Sequence, residues 1–282
     1  MQTDAFYGWA HFAVAAAYLV VAVACWRAIR RAVPVPRMGL VAVVLPLAVL
    51  AHAAMLTLDS TSLGGLRFGF AQAISATFLL AGAMLWVEGF FISLGAVYAL
   101  IAPMAAVAVL LPLAFHGVAL AGEGSSLALR LHLGVSVLAY SLFTIAALHS
   151  ALMTVIDRHL HQPGRDASTP MEALLAQMPP LLALESLLFR QLAAGFVLLT
   201  ASLVSGMAFS QELFGRPMRF NHMTLFGIIS WCVFAGLLVG RYAFGWRGRV
   251  AQRWLVVGFL MLLLAYIGSR FVFEVILGKA WV

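Results

Sequence analysis

Residues 129–155, LRLHLGVSVLAYSLFTIAALHSALMTV, form an apolar run long enough to cross a bilayer, since the hydrocarbon core requires about 20 apolar residues in a helix. His132 stands near the start of this run, and polar groups inside a membrane are costly unless they have a function or a partner. Ser136, Tyr140 and Thr144 follow at steps of four, so an α-helix places them on one polar stripe. We expect the stripe to face protein. A hydrogen bond to a neighbouring helix would by itself account for His132.

The composition indicates a polytopic integral membrane protein. Hydrophobic residues make up 64% of the 282 residues, charged residues 10%, and the mean hydropathy is +1.03, values beyond those of soluble domains. The net charge is +7, but the basic residues are scattered and form no basic block, so nucleic acid is not an expected partner. Cys25 and Cys232 lie in apolar stretches without a C-x-x-C motif, which indicates neither thiol redox chemistry nor a cysteine metal site.

Hydropathy predicts an all-α fold with about eight transmembrane helices in a single domain, residues 1–282. The candidate spans are roughly 9–25, 38–57, 67–87, 92–113, 130–155, 190–209, 222–243 and 254–276. The first span is followed by arginines instead of preceded by them, so we interpret it as a retained helix and not a cleaved signal peptide. The greater number of arginines in the connections that follow the odd-numbered helices predicts that these connections lie on the inner face and that both termini lie on the outer face. The longest connection, Asp157 to Phe189, is predicted to lie along the inner surface.

In this topology most histidines fall at one depth of the membrane. Those at or near the outer face are His11, His52, His116, His132 and His222, whereas those toward the inside are His149, His159 and His161. Neutral imidazole is a good ligand of haem iron and requires no charge in the membrane. Histidines gathered from several helices at one depth are therefore typical of an axial-ligand site for haem.

Arginines stand near these histidines, and their planar guanidinium groups suit the two carboxylates of a haem. The candidates are Arg130, Arg216 and Arg219, with Arg67 and Arg270 at the same level. Lipid headgroup contacts would also explain them, as would an i,i+4 pair of Arg270 with Glu274. At the other face, ion pairing and interfacial anchoring are the favoured interpretation of Glu185, Arg190, Trp246, Arg247 and Arg249. Close helix packing is favoured for Gly195, Gly206, Gly227, Gly236 and Gly240.

The segment from Glu185 to Arg249 resembles the second half of the cytochrome c assembly protein family, the CcsA/ResC-type haem-handling proteins. It has L-x-S-G at 203–206, W-C-V-F at 231–234 and G-W-R-G at 245–248. The family's outer loop, W-G-x-x-W-x-W-D, is matched without gaps by residues 214–221, FGRPMRFN. This match keeps Gly215 but replaces the tryptophans by Phe214, Met218 and Phe220, and the aspartate by Asn221.

The closer resemblance covers nearly the whole chain and is to the branch of short eight-helix proteins called YpjD or HemX-like. The recurring features are His52, the helix of His132, M-P-P-L-x-x-x-E at 178–185, His222, G-W-R-G-R at 245–249 and Y-x-G-S-R at 266–270. His132 matches the family's first outer haem-ligand histidine. The partner histidines do not carry over, because Val239 stands at one of their positions and the segment after Tyr266 lacks the other.

The resemblance implies a non-enzymatic, multi-pass protein of the bacterial inner (plasma) membrane that holds haem b near the outer face in cytochrome c-type biogenesis. His132 would ligate the iron together with His222 or His52. Arg130, Arg216 and Arg219 would bind the propionates, and Phe214 and Phe220 would pack on the porphyrin. The expected partners are the lipid bilayer and other cytochrome c maturation or inner-membrane proteins. The alternative is a haem-free accessory protein that regulates a membrane enzyme or an ion transporter.

Overall fold

The structure, a computed structural model, describes residues 2–31, 39–61, 67–91, 95–119, 127–160, 180–208 and 222–277. The helices in these ranges are α1 (Gln2–Arg30), α2 (Leu40–Thr61), α3 (Phe70–Glu88), α4 (Gly95–Ala114), α5 (Leu127–Leu160), α6 (Leu181–Ala208), α7 (His222–Phe244) and α8 (Gly248–Ile276). Within α8, α-helical turns at Gly248–Leu263 and Ser269–Phe271 alternate with π-helical turns at Leu264–Gly268 and Val272–Ile276. Two short strands, β1 (Arg67–Phe68) and β2 (Val118–Ala119), pair in antiparallel register.

In the described ranges, eight helices are long and apolar enough to cross a membrane. The predicted all-α polytopic fold is therefore confirmed. The prediction that residues 157–189 lie along the inner surface is wrong at its end, because α6 and its span already begin at Leu181. The span of α5 ends at Val155, as predicted, and the helix itself continues to Leu160. Leu184, Leu187 and Leu188 recur at helical spacing and are buried, so they extend the apolar face of α6 into the core. Residues 161–179 lie outside the described part of the chain.

Two buried clusters hold the bundle together. One is formed by α1, α2 and α4 around Tyr18 and Cys25. The other is formed by α3–α8, where the rings of Phe143 and Phe234 stack with centroids 4.0 Å apart. A Cβ on Gly195 would lie 3.2 Å from the Phe143 ring, so a small residue is required there for α5 and α6 to approach. The close-packing interpretation of the glycines is confirmed. The contacts are Gly195 with Phe143, Gly206 with His132, Gly227 with Leu203, Gly236 with Trp254 and Gly240 with Trp246.

The helices alternate in direction, so the bundle has two distinct ends. We call one the histidine end; the starts of α1, α5 and α7 lie there and place His11, His132 and His222. The strand pair lies at this end too and brings Gly69, before α3, next to Glu274 in the last turns of α8. We call the opposite end the arginine end, because Arg241, Arg247 and Arg249 lie there, at the end of α7 and the start of α8. The membrane face occupied by each end, like the single-domain organisation, stays a prediction from the sequence.

Candidate functional site

His132 lies half-buried in the first turns of α5, between α5 and α6. Its Nδ1 is 2.8 Å from Ser205 Oγ of α6. One turn further along α5, Ser136 Oγ donates to the backbone oxygen of His132 at 2.7 Å and lies 2.6 Å from Ser202 Oγ of α6. Tyr140 donates to the backbone oxygen of Leu262 in α8 at 2.6 Å. The predicted polar stripe of α5 therefore faces protein.

His222 is the first residue of α7 and its side chain is exposed. Its ring stacks on Phe273 of α8, with centroids 5.7 Å apart and ring planes 19° apart. Phe273 belongs to the second π-helical stretch of α8, and π-turns are frequent at functional sites. His222 thus presents an accessible imidazole at the histidine end.

His52 is completely buried and both of its ring nitrogens are hydrogen-bonded. Nδ1 is 3.2 Å from the Tyr18 hydroxyl of α1, and Nε2 is 2.8 Å from Ser75 Oγ of α3. Iron ligation by His52 would require the loss of one of these buried bonds. The geometry is that of a structural histidine that connects three helices.

A second buried pair lies two turns from His52 in the same α1–α2 interface. His11 Nε2 is 3.0 Å from Asp59 Oδ2, and the two side chains are 0% and 9% exposed. His11 and Tyr18 are seven residues apart on α1, as are His52 and Asp59 on α2, so helical geometry stacks the two pairs. Asp59 is missed by sequence reasoning, although this matched spacing is a signal that could have found it.

The predicted arginines differ in their surroundings. Arg130 is exposed in the first turn of α5, close in sequence to His132. Arg67 donates to the backbone oxygens of His116 and Gly117, at 3.3 and 2.9 Å, and so holds the end of α4. The predicted i,i+4 pair of Arg270 and Glu274 is confirmed by a buried contact of 3.7 Å. The loop residues Phe214, Arg216, Arg219 and Phe220 lie outside the described part of the chain.

Ion pairs connect the helices at the arginine end. Glu185 near the start of α6 accepts from Arg241 of α7 at 2.7 Å and from Arg247 at 2.8 Å. Arg249 pairs with Asp157 of α5 at 3.0 Å. The interpretation of Glu185, Arg247 and Arg249 as an ion-paired group is confirmed.

A buried polar chain missed by sequence reasoning crosses α5, α6 and α3. His149 Nδ1 is 3.0 Å from Gln191 Oε1, and Gln191 Nε2 donates to Glu88 Oε1 at 2.7 Å. His149 and Gln191 are 0% and 4% exposed. His149 Nε2 and Glu88 Oε2 are buried and have no hydrogen-bond partner among the described residues. No sequence motif links these residues, because their contact depends on the rotation of three helices.

The imidazoles at the histidine end have the chemistry of axial haem ligands. Within the described ranges, no three histidine, cysteine or acidic side chains are grouped so that they could hold a metal ion. A haem requires less, since its porphyrin supplies the equatorial nitrogens and the protein supplies only axial ligands. Imidazoles such as those of His132 and His222 suit that role.

The described residues form eight helices able to span a membrane, with imidazoles and buried polar pairs at one end, and so define a multi-pass membrane protein with a candidate ligand site near one membrane surface. Residues 12–277 match the model of the family described as Cytochrome C assembly protein. The chain belongs to this family, as the sequence resemblance predicted. Membership supports a role in cytochrome c biogenesis.

Three relatives illustrate the range of the family. The chain is 35% identical over 157 residues to an uncharacterized 28.8 kDa protein of Azospirillum brasilense, covering 56% of each chain. It is 35% identical over 145 residues to the inner membrane protein YpjD of Escherichia coli, covering 51% of this chain and 52% of the relative. It is 30% identical over 156 residues to the cytochrome c biogenesis protein CcsA of Prochlorococcus marinus, covering 51% and 50%.

The chain spans about half the length of the curated relatives it matches. No solved structure matches it. The eight spans, together with a relative named as an inner membrane protein, make it a multi-pass inner-membrane protein.

Proposed function

We propose that this protein binds haem b at its histidine end and handles haem in cytochrome c biogenesis, with His132 as one axial ligand of the iron. It acts by coordination and is not an enzyme. The observation that carries the proposal is the environment of His132. Its imidazole is half-buried where α5 packs on α6 at the histidine end, and its Nδ1 is hydrogen-bonded to Ser205. A ring nitrogen held in this way is typical of metal-ligating histidines, because the bond orients the ring toward the metal.

The second axial ligand is His222 in this proposal. Its side chain is exposed at the same end of the bundle, whereas His52 is completely buried with both ring nitrogens bonded. The stack of His222 on Phe273 restricts the orientation of the imidazole. Ligation by His222 therefore requires less rearrangement than ligation by His52.

The remaining residues of the site would bind the edge and faces of the macrocycle. Arg130 is exposed two residues before His132 in α5, and it would bind a propionate together with Arg216 and Arg219. Phe214 and Phe220 would pack on the porphyrin, since aromatic burial does not depend on an indole N–H. Bound haem supplies a redox-active iron; the chain itself binds and orients it.

The test is a visible absorption spectrum of the purified protein in lipid nanodiscs after addition of haem b. We expect a low-spin bis-imidazole spectrum. It should be lost or converted to high spin in His132→Ala and His222→Ala. His116→Ala, which removes an exposed histidine at the same end, is the matched control and should keep the spectrum. A wild-type protein that takes up no haem would overturn the proposal.

A haem-free accessory role is the second candidate function. It is favoured by the two buried histidine pairs, His11–Asp59 and His52–Tyr18, which use the imidazoles to connect helices. In that case the fold is kept for contact with a membrane partner. The same spectrum separates the two, because an accessory protein of this kind gives no haem absorbance.

A further inference from the structure

We infer that Ser136, Ser202 and Ser205 form a hydrogen-bonded ring with His132 that keeps the imidazole proton on Nδ1 and so makes Nε2 the iron-binding atom. The inference deepens the proposed function and rests on it for the role of Nε2. The tautomer itself is a property of this chain without any ligand.

The first half of the ring follows from the single hydroxyl proton of Ser136. Ser136 Oγ donates this proton to the backbone oxygen of His132 at 2.7 Å. In its 2.6 Å contact with Ser202 Oγ it can therefore only accept, so Ser202 must be the donor. In this arrangement Ser136 and Ser202 each donate one hydroxyl proton, and both short contacts of Ser136 are hydrogen bonds.

The second half of the ring, from Ser202 through Ser205 to His132, determines which nitrogen of the imidazole carries the proton. Ser205 Oγ donates its one proton to the backbone oxygen of Ser202 at 3.1 Å. Both contacts of Ser205 Oγ are hydrogen bonds only if its proton goes to Ser202 and the 2.8 Å contact with His132 Nδ1 is one in which Ser205 accepts. Nδ1 consequently carries the hydrogen, and a neutral imidazole with a protonated Nδ1 has its lone pair on Nε2.

The ring closes between two helices. α5 contributes the side chain and backbone oxygen of His132 and the hydroxyl of Ser136. α6 contributes Ser202 and Ser205. Gly206 forms a wall beside it, since a Cβ there would lie 3.2 Å from His132 Cε1. Both the protonation and the orientation of the ring are thus set by the α5–α6 contact.

Ser205 is accordingly a positioning residue. A bond from Nδ1–H to an acceptor raises the basicity of the opposite nitrogen as a metal ligand, and loss of such a partner typically costs about 10–100-fold in metal affinity. A more basic ligand favours ferric iron, so loss of the bond should move the reduction potential of the iron to more positive values.

The experiment compares wild type, Ser205→Ala and Ser205→Thr, with Ser141→Ala as the matched control. Ser141 is a buried serine of α5 whose hydroxyl donates to the backbone oxygen of Val137. In haem-free protein labelled with nitrogen-15 at histidine, imidazole NMR should show His132 protonated at Nδ1 in wild type, Ser205→Thr and Ser141→Ala. Ser205→Ala should lose this single tautomer.

With haem b added, Ser205→Ala should bind about 10–100-fold more weakly and have a more positive potential, while Ser205→Thr and Ser141→Ala match wild type. An Nε2-protonated His132 in the wild-type NMR spectrum would overturn the inference. So would wild-type affinity and potential in Ser205→Ala. Failure of the proposed function has a different signature: wild type takes up no haem, while the NMR comparison still decides the tautomer.

Discussion

His52 connects three helices through two hydrogen bonds, one to Tyr18 and one to Ser75. His52→Ala would leave both hydroxyls without this partner in a buried site and create a cavity. We expect the free energy of unfolding to fall by about 3 kcal/mol, measured by denaturant unfolding in detergent, and the haem spectrum to persist at temperatures where the variant is folded. His116→Ala, at an exposed position, should change neither quantity. A folded His52→Ala protein that has lost its low-spin spectrum would make His52 the second ligand instead of His222.

Gln191 is the middle member of the buried chain from His149 to Glu88. Gln191→Leu keeps the side chain's size but removes both the acceptor for His149 Nδ1 and the donor to the Glu88 carboxylate. We expect a loss of about 2–4 kcal/mol in the free energy of unfolding, because two buried polar groups lose their partner. Gln252→Leu is the control, since Gln252 is only half-buried and accepts a single bond from Thr154. Equal losses in the two variants would contradict a special role of the His149 chain.

The residues of the candidate site differ in how far the sequence could predict them. His132 could be predicted to face protein, because a polar stripe at steps of four is visible in an apolar run. The Arg270–Glu274 pair could be predicted from its i,i+4 spacing. Ser202 and Ser205 as partners of His132 could not, because an almost uniformly apolar helix gives no hydrophobic face from which its rotation could be read.

At the scale of elements, length and hydropathy predicted the helices well, and α6 is the instructive exception. It begins at Leu181 and not after residue 189, and its first turns carry the charged residue Glu185. The carboxylate is accommodated because Arg241 and Arg247 approach it from the α7–α8 junction. These charges come from residues more than fifty positions away, so the local sequence does not report them.

The same ion pairs define a test of how α6 is attached to α7 and α8. Glu185→Ala should lower the free energy of unfolding by about 2 kcal/mol, less than for a fully buried pair because Arg247 is 56% exposed. Asp157→Ala breaks the pair with Arg249, which is 67% exposed, and should cost about 0.5 kcal/mol or less. Unfolding in detergent at two salt concentrations measures both. The interpretation fails if Asp157→Ala is the more destabilising change.

At the scale of the whole molecule, the altered outer loop limits the proposed activity. Residues 214–221 keep the glycine of the family's W-G-x-x-W-x-W-D motif as Gly215. They have Phe214 and Phe220 in place of two of its tryptophans and Asn221 in place of its aspartate. We expect the chain to bind haem without attaching it to apocytochrome c. It should therefore fail to restore covalent cytochrome c in a bacterial strain that lacks its CcsA-type protein, measured by haem staining of denatured cytochromes. Restoration by this chain alone would contradict the expectation, and Asn221→Asp would then be the first variant to compare.

The spans and the distribution of arginines together predict the orientation of the bundle in the membrane. Among the spans of the described residues, α6, α7 and α8 lie between Arg165 and Val282, and three crossings would place the two positions on opposite faces. The arginine excess predicts that Arg165 lies on the cytoplasmic face. A reporter fused after Arg165 should therefore be active only as a cytoplasmic reporter, and one fused after Val282 only as a periplasmic one. Both reporters on the same face would remove a span and contradict the fold. Exchanged faces would keep the fold but move His132, His222 and the proposed haem site to the cytoplasmic surface, where delivery of haem to an exported cytochrome could not begin from this site.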